Sequence, residues 1–170
     1  MCLREKTLCF SGHRPEKLPF KGEIDSPEIK ALMSILFLEI EAAVKEGYEN
    51  FITGVAKGID IWAAKYIIML KRDYPDLKLI CAVPYQNYGD GWKGYDKWDL
   101  NWVFDNADEK INVSPFYSKI CMKIRNEYMV DRSSKLIAVV NDYKSGTGQT
   151  IRYAQKNNLD IKIINANQFT

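Results

Sequence analysis

Histidine is nearly absent from this 170-residue sequence, which contains only His13. Its four cysteines, Cys2, Cys9, Cys81 and Cys121, include no pair at C-x-x-C spacing. Zinc sites draw on clustered cysteine and histidine, so no metal site is expected. Charge of one sign is also lacking: Lys plus Arg number 24, Asp plus Glu 22, and the net charge is +2. A dedicated nucleic-acid binder carries a stronger basic bias, so nucleic acid is an unlikely partner that is not excluded. No long hydrophobic run is present. The best stretch, residues 31–44, is broken by Glu39 and Glu41 and cannot span a bilayer. The first six residues carry charges and no apolar region, so the expected location is the cytoplasm, with no membrane partner. A Gly-x-Ser-x-Gly elbow and a neighbouring Cys–His pair are both missing, which leaves a nucleophilic hydrolase without support.

What is present is a regular alternation. Strands are expected at residues 7–10, 50–53, 78–83, 109–113, 135–140 and 161–164. Helices are expected at 27–46, 59–73, 98–106, 119–131 and 149–157. The first helix has Ser26 as its cap, Pro27 just inside and Gly47 at its end. Short apolar strands alternating with helices predict a Rossmann-like α/β fold, a mainly parallel sheet with helices on both faces. The length suits one domain over residues 1–170. Right-handed crossovers gather every strand-to-helix turn at one sheet edge, where open α/β sheets bind ligands.

Four segments could carry chemistry, three of them turns at that edge and the fourth a helix. Thr53-Gly54-Val55-Ala56-Lys57-Gly58-Ile59-Asp60 follows a strand and opens a helix. Such a turn offers a phosphate the helix's free amides, or is simply tight. It is neither a Walker A loop nor G-x-G-x-x-G. Ser145-Gly146-Thr147-Gly148-Gln149-Thr150 forms a second candidate cradle, or a flexible loop capped by Thr147 or Thr150. In Ser11-Gly12-His13-Arg14-Pro15, Arg14 could fork onto a phosphate and His13 could donate to one. The fourth is Arg125-Asn126-Glu127-Tyr128-Met129-Val130-Asp131-Arg132-Ser133, where Arg125, Met129 and Arg132 share a helix face. Glu127 and Asp60 are the candidate acids for a hydrolytic role, with no second carboxylate paired to either. Pro84 closes the third strand, and Tyr85, Tyr88, Trp92, Tyr95, Trp98 and Trp102 follow it as a base-stacking lid or as sheet packing.

The segments beginning Leu8-Cys9-Phe10-Ser11-Gly12-His13-Arg14-Pro15 and Ile52-Thr53-Gly54-Val55-Ala56-Lys57-Gly58, together with the stretch 125–133, resemble the YpsA/YoqJ-like branch of the SLOG superfamily. The likeness covers nearly the whole chain. It implies kinship with the DNA-processing protein DprA and with LOG phosphoribohydrolases. It implies a nucleotide-type small molecule as ligand, ADP-ribose-like, with no certain cofactor. The homodimers common in related folds make self-association an expectation here. Gly54, Gly58, Gly146, Thr147 and Gly148 would hold phosphate or ribose, with Arg14 and Arg125 supplying charge. The resemblance adds His13, Arg14 and the helix carrying Arg125, Asn126, Asp131 and Arg132 to the site, and Gly12, Thr53, Asp60, Pro84 and Thr150 complete the expected neighbours of the ligand. LOG enzymes carry P-G-G-x-G-T-x-x-E, and this chain has no equivalent of its glutamate in residues 145–152. Binding by a sensor or regulatory module is therefore expected ahead of hydrolysis or a DprA-like hold on single-stranded DNA. Relatives often have a second glycine where this chain has Val55.

Overall fold

In a computed structural model, which describes residues 2–169, six strands form one sheet in the order β4-β3-β2-β1-β5-β6. The strands are β1 (Thr7–Gly12), β2 (Asn50–Thr53), β3 (Lys78–Tyr85), β4 (Glu109–Ser114), β5 (Lys135–Val140) and β6 (Asp160–Asn165). Every pairing is parallel. The helices are α1 (Pro27–Glu46), α2 (Ile59–Leu70), α3 (Gly94–Asn106), α4 (Cys121–Asp131) and α5 (Gly146–Lys156). This is the expected Rossmann-like architecture. The chain steps from β1 out to β4, then returns to place β5 on the other side of β1. With right-handed crossovers, that reversal puts α1, α2 and α3 on one face and α4 and α5 on the other.

Alternation along each strand feeds the two cores. In β1, Leu8 and Phe10 join Phe51, Leu79 and Ile137 beneath Ile29, Leu32, Leu36 and Ile40 of α1 and Ile67 of α2. Cys9 points the opposite way, to Ile52, Ala82, Leu136 and Ala138 beneath Met129 of α4 and Ile151 of α5. Burial pushes the Cys9 and Cys81 thiols up to about 12, so neither offers a thiolate at neutral pH.

α1 is bounded as its residues demand. The Ser26 hydroxyl accepts from the Ile29 N–H at 3.2 Å, and Gly47 closes the helix in the left-handed region at φ 103°. Ser26→Ala should cost about 1 kcal/mol. Urea unfolding should show a lower midpoint at an unchanged slope.

Of the boundaries that differ from the sequence expectation, three matter most for the site. Pro84 lies inside β3 and does not end it. β2 pairs with β3 only as far as Cys81, so no neighbour on that side requires the missing proline N–H. α3 starts at Gly94, not Trp98. α5 starts at Gly146, which places Gly146, Thr147 and Gly148 in its first turn, with Ser145 as the cap.

Candidate functional site

β1 and β5 stay paired as far as Gly12 and Val139. Beyond those ends their connections leave in opposite directions, and a crevice of about 270 Å³ opens there. This is the switch point of the sheet, where a parallel α/β fold leaves space between diverging connections. Its walls come from the turn after β1, the starts of α2 and α5, and one side of α4.

The turn after β1 is held by close packing. A Cβ on Gly12 would lie 2.5 Å from the Ile59 Cβ, so only glycine lets β1 meet the start of α2. His13, 4% exposed, accepts the Asn141 N–H at its Nε2 at 3.0 Å and the Asp142 N–H at 3.4 Å. Burial lowers its pKa, which suits a ring that must stay neutral to accept. Nε2 therefore staples the β1 turn to the β5 turn, and the ring proton belongs on Nδ1. Arg14 and Lys17 stand on the crevice rim, with Glu16 beside them.

The turn from β2 into α2 is folded on itself. Thr53 Oγ1 donates to the Asp60 carbonyl at 3.0 Å and accepts from the Val55 N–H at 3.2 Å. Val55 is buried with φ +54°, a conformation costly for a β-branched residue, and one a glycine would adopt freely. Gly58, at φ +89°, backs onto Pro15 and the His13 carbonyl. Gly54 is pinned between charges: a Cβ there would sit 2.7 Å from Arg125 Nη1 and 2.9 Å from Asp60 Oδ2. Thr53, Gly54 and Gly58 shape the turn from behind. Of this segment, Ala56 and Asp60 line the crevice.

Arg125, 5% exposed, projects from α4 into the crevice wall. Its Nη1 donates to the Gly54 carbonyl, and its Nε donates to Asn126 Oδ1 at 2.8 Å. Two of its three nitrogens, Nε and Nη1, are thus held by the protein. Opposite it, burial pushes the Asp60 carboxyl up to about 6, opposed by the Arg125 charge and by the Ala56 N–H on Oδ2 at 3.2 Å. Burial in turn pulls the Arg125 guanidinium down, opposed first by Asp60. A carboxyl that binds its proton more tightly when folded contributes stability fully present below about pH 4, the unfolded value. That contribution is lost as pH rises through about 6. Between pH 5 and pH 8, wild type should therefore lose about 1 kcal/mol relative to Asp60→Asn. Parallel chemical-denaturation series at the two pH values measure this; a constant difference between the proteins would contradict it.

The start of α5 supplies donors. The Ser145 hydroxyl accepts from the Gly148 N–H at 3.2 Å, so the helix satisfies that amide itself. First-turn amides have no acceptor within the helix, and those of Gly146 and Thr147 belong to residues lining the crevice. The helix N-terminus adds partial positive charge. Gly148 is needed for packing, because a Cβ there would collide with the Tyr143 carbonyl, whereas Gly146 faces open space. Thr150 Oγ1 turns back to the Gly146 carbonyl at 3.0 Å and is not among the crevice-lining residues.

The crevice thus gathers Gly12, His13, Arg14, Asp60, Arg125, Asn126, Gly146 and Thr147. Pro84 is buried in β3, outside it. Glu127 also falls outside, 3.9 Å from Lys123 and beside Gln149 and Thr150. Asp131 and Arg132 are at the other edge of the sheet. α4 runs back across the strands, and eleven residues carry it roughly 16 Å. There Asp131 accepts from the Tyr153 hydroxyl at 2.8 Å, and Arg132 covers the Tyr128 ring at 3.5 Å. Both line a second cavity of about 370 Å³ with Leu3, Ile52 and Ile80. That cavity is larger, and the helix that starts beside it is the short 3-10 turn Leu3–Lys6, not an α-helix.

Sequence reasoning missed Ser145 as the cap and Met122, Glu16 and Lys17 as lining. Ser145 directly precedes two glycines and a threonine, the place where a cap belongs. Met122 lies one turn before Arg125, and its Sδ is 3.9 Å from Nη2. Of the aromatic segment, Tyr88 alone reaches the crevice. Tyr95 and Trp98 are exposed on α3, and Trp92 lies under the Lys57 ammonium, which also pairs with Asp96 at 3.0 Å. Gly89-Asp90-Gly91-Trp92-Lys93-Gly94 has the G-x-G-x-x-G spacing, yet Gly89 packs against Leu100 and the segment stays off the crevice.

Comparison with known proteins agrees with this architecture. The YpsA family model, described as the YspA SLOG family, matches residues 8–169. The chain is 28% identical over 160 residues to UPF0398 proteins of Bacillus thuringiensis (strain Al Hakam) and Bacillus cereus (strain AH187), covering 92% of this chain and 86% of theirs. Its fold is similar to DNA processing protein A (DprA) of Streptococcus pneumoniae, with TM-score 0.62 and 15% identity over 96% of this chain. DprA of Helicobacter pylori, solved for its single-stranded DNA binding mode, gives TM-score 0.60 and 18% identity over 92% of this chain. The chain spans 51% of the first DprA structure and 64% of the second. Among the described residues, no helix is long and apolar enough to cross a membrane.

Proposed function

Because the chain belongs to the YpsA SLOG family, matched over residues 8–169, we propose that its C-terminal-edge crevice binds a phosphate-bearing nucleotide or nucleotide derivative of the ADP-ribose type, as a sensor or regulatory module. The observation that carries this reading is Arg125. A buried guanidinium held at Nε by Asn126 and at Nη1 by Gly54 lines the same crevice as Gly146 and Thr147 in the first turn of α5. Oriented donors in a low-dielectric wall favour an anion without having to reorganise. Arg14 and Lys17 on the rim extend the positive surface toward solvent.

Asp60 is the one ionisable acid deep in this wall, and a carboxyl near pKa 6 beside a bound ribose could take a proton. Glu127 does not line the crevice, which leaves a hydrolytic reading dependent on Asp60 alone. A DprA-like hold on single-stranded DNA draws support from the similar fold, while the +2 charge weighs against a long phosphate track.

Calorimetric titration with ADP-ribose, AMP and a short single-stranded oligonucleotide at two salt concentrations tests these readings together. Saturable binding of a mononucleotide or ADP-ribose supports the crevice. Tight oligonucleotide binding that weakens steeply with salt, without mononucleotide binding, would favour the DNA reading.

A further inference from the structure

A volume of about 270 Å³ lies below the roughly 300–1,000 Å³ of pockets that enclose a drug-sized ligand. If the crevice takes phosphate and sugar, the base must lie outside it. Three tyrosine rings lead from the crevice wall to the surface. Tyr88 lines the crevice and meets Tyr85 edge-on, with centroids 5.5 Å apart at 89°. Tyr85 meets Tyr117 in the same way, at 5.5 Å and 84°. Tyr117 ends the file, 67% exposed, next to Phe116, which is 77% exposed. The loop carrying both runs directly into α4, whose first two turns bring Met122 and Arg125 to the crevice. Platform and guanidinium therefore share one rigid support.

Phe116 and Tyr117 differ from the exposed Tyr95 and Trp98 in that a file of ring contacts connects them to the crevice wall. The single edge-on contact with Tyr85 seats the Tyr117 ring while leaving most of it open, as a stacking surface requires. We propose that Tyr117, with Phe116 beside it, is the nucleobase subsite of the ligand whose phosphate occupies the crevice, and that it takes a purine by stacking. This rests on the nucleotide reading above. Stacking uses the π-face that every base has, so the larger purines gain most and the base edge is not read. Tyr117 and Phe116 replace Trp92, Tyr95 and Trp98 as the aromatic residues that matter for the ligand.

Titration of AMP and of ribose 5-phosphate into wild type, Tyr117→Ala and Tyr117→Phe separates the two claims. Wild type should bind AMP roughly tenfold more tightly than ribose 5-phosphate, a gain in the range of one base–aromatic stack. Tyr117→Ala should erase that preference and leave ribose 5-phosphate affinity unchanged, while Tyr117→Phe should retain it. An AMP preference that survives Tyr117→Ala overturns the platform and leaves the crevice standing. So does loss of self-association in Tyr117→Ala with AMP affinity intact, which would make the loop a contact between copies of the chain. Failure of wild type to bind either compound removes the nucleotide reading and the platform with it.

Discussion

Arg125→Met is expected to reduce nucleotide affinity by roughly a hundredfold or more, because it removes a buried charged donor that the ligand's phosphate would meet. The same substitution should destabilise the fold by about 1–3 kcal/mol, since it leaves the Gly54 carbonyl without its donor and takes from the buried Asp60 carboxyl the charge that opposes its burial. The two losses have different cures. Adding Asp60→Asn to Arg125→Met should recover much of the stability, because the unpaired carboxylate is gone, while affinity stays low. Arg125→Lys should keep a charge and still bind weakly, as an ammonium cannot bridge Gly54 and the ligand with one planar fork. A double-mutant cycle by urea unfolding, run beside calorimetry on the same four proteins, reads both quantities. Additive stability effects of Asp60 and Arg125 would show that the two are not coupled.

Gly148→Ala is the second large expectation, and it contrasts two glycines only two residues apart. The new methyl at 148 would be driven into the Tyr143 carbonyl, which is backbone and cannot swing aside. The start of α5 must then lift off the β5 turn, at a cost of about 3 kcal/mol, the upper part of the usual overpacking range. Ser145 would lose its geometry as cap, and Gly146 and Thr147 would shift in the crevice wall that they line. Binding should weaken even where the protein remains folded. Gly146→Ala meets open space at a helical position, so stability should be unchanged or slightly raised. Thermal unfolding of the two variants should differ by many degrees in that order. Equal tolerance would mean that Gly148 is not held by the Tyr143 carbonyl.

Much of the fold could be read from residue spacing. Leu8 and Phe10 alternate with Cys9, and Ser26-Pro27 with Gly47 brackets α1, because strand period and capping chemistry are local signals. The collection of turns at one edge followed from handedness alone, and β1, β2 and β5 do deliver Gly12, Asp60 and Gly146 to one crevice. Spacing did not reveal which glycines face a ligand and which face the protein. Gly54, Gly58 and Gly148 serve approaches by Arg125, Pro15 and Tyr143, partners 5 to 71 residues away in sequence. Arg125 and Arg132 look like one constellation on a helical wheel, but the rise of α4 sends them to opposite edges of the sheet. For His13 the sequence leaves a ligand donor and a structural residue both open, and a buried ring accepting two amides from the β5 turn is a contact that no local pattern encodes.

The most direct test is a crystal structure of the protein grown with ADP-ribose. The account predicts phosphate oxygens within hydrogen-bond distance of the Gly146 and Thr147 amides and of the Arg125 guanidinium. A ligand seated in the opposite-edge cavity beside Arg4 and Arg132, with Arg125 untouched, would contradict it.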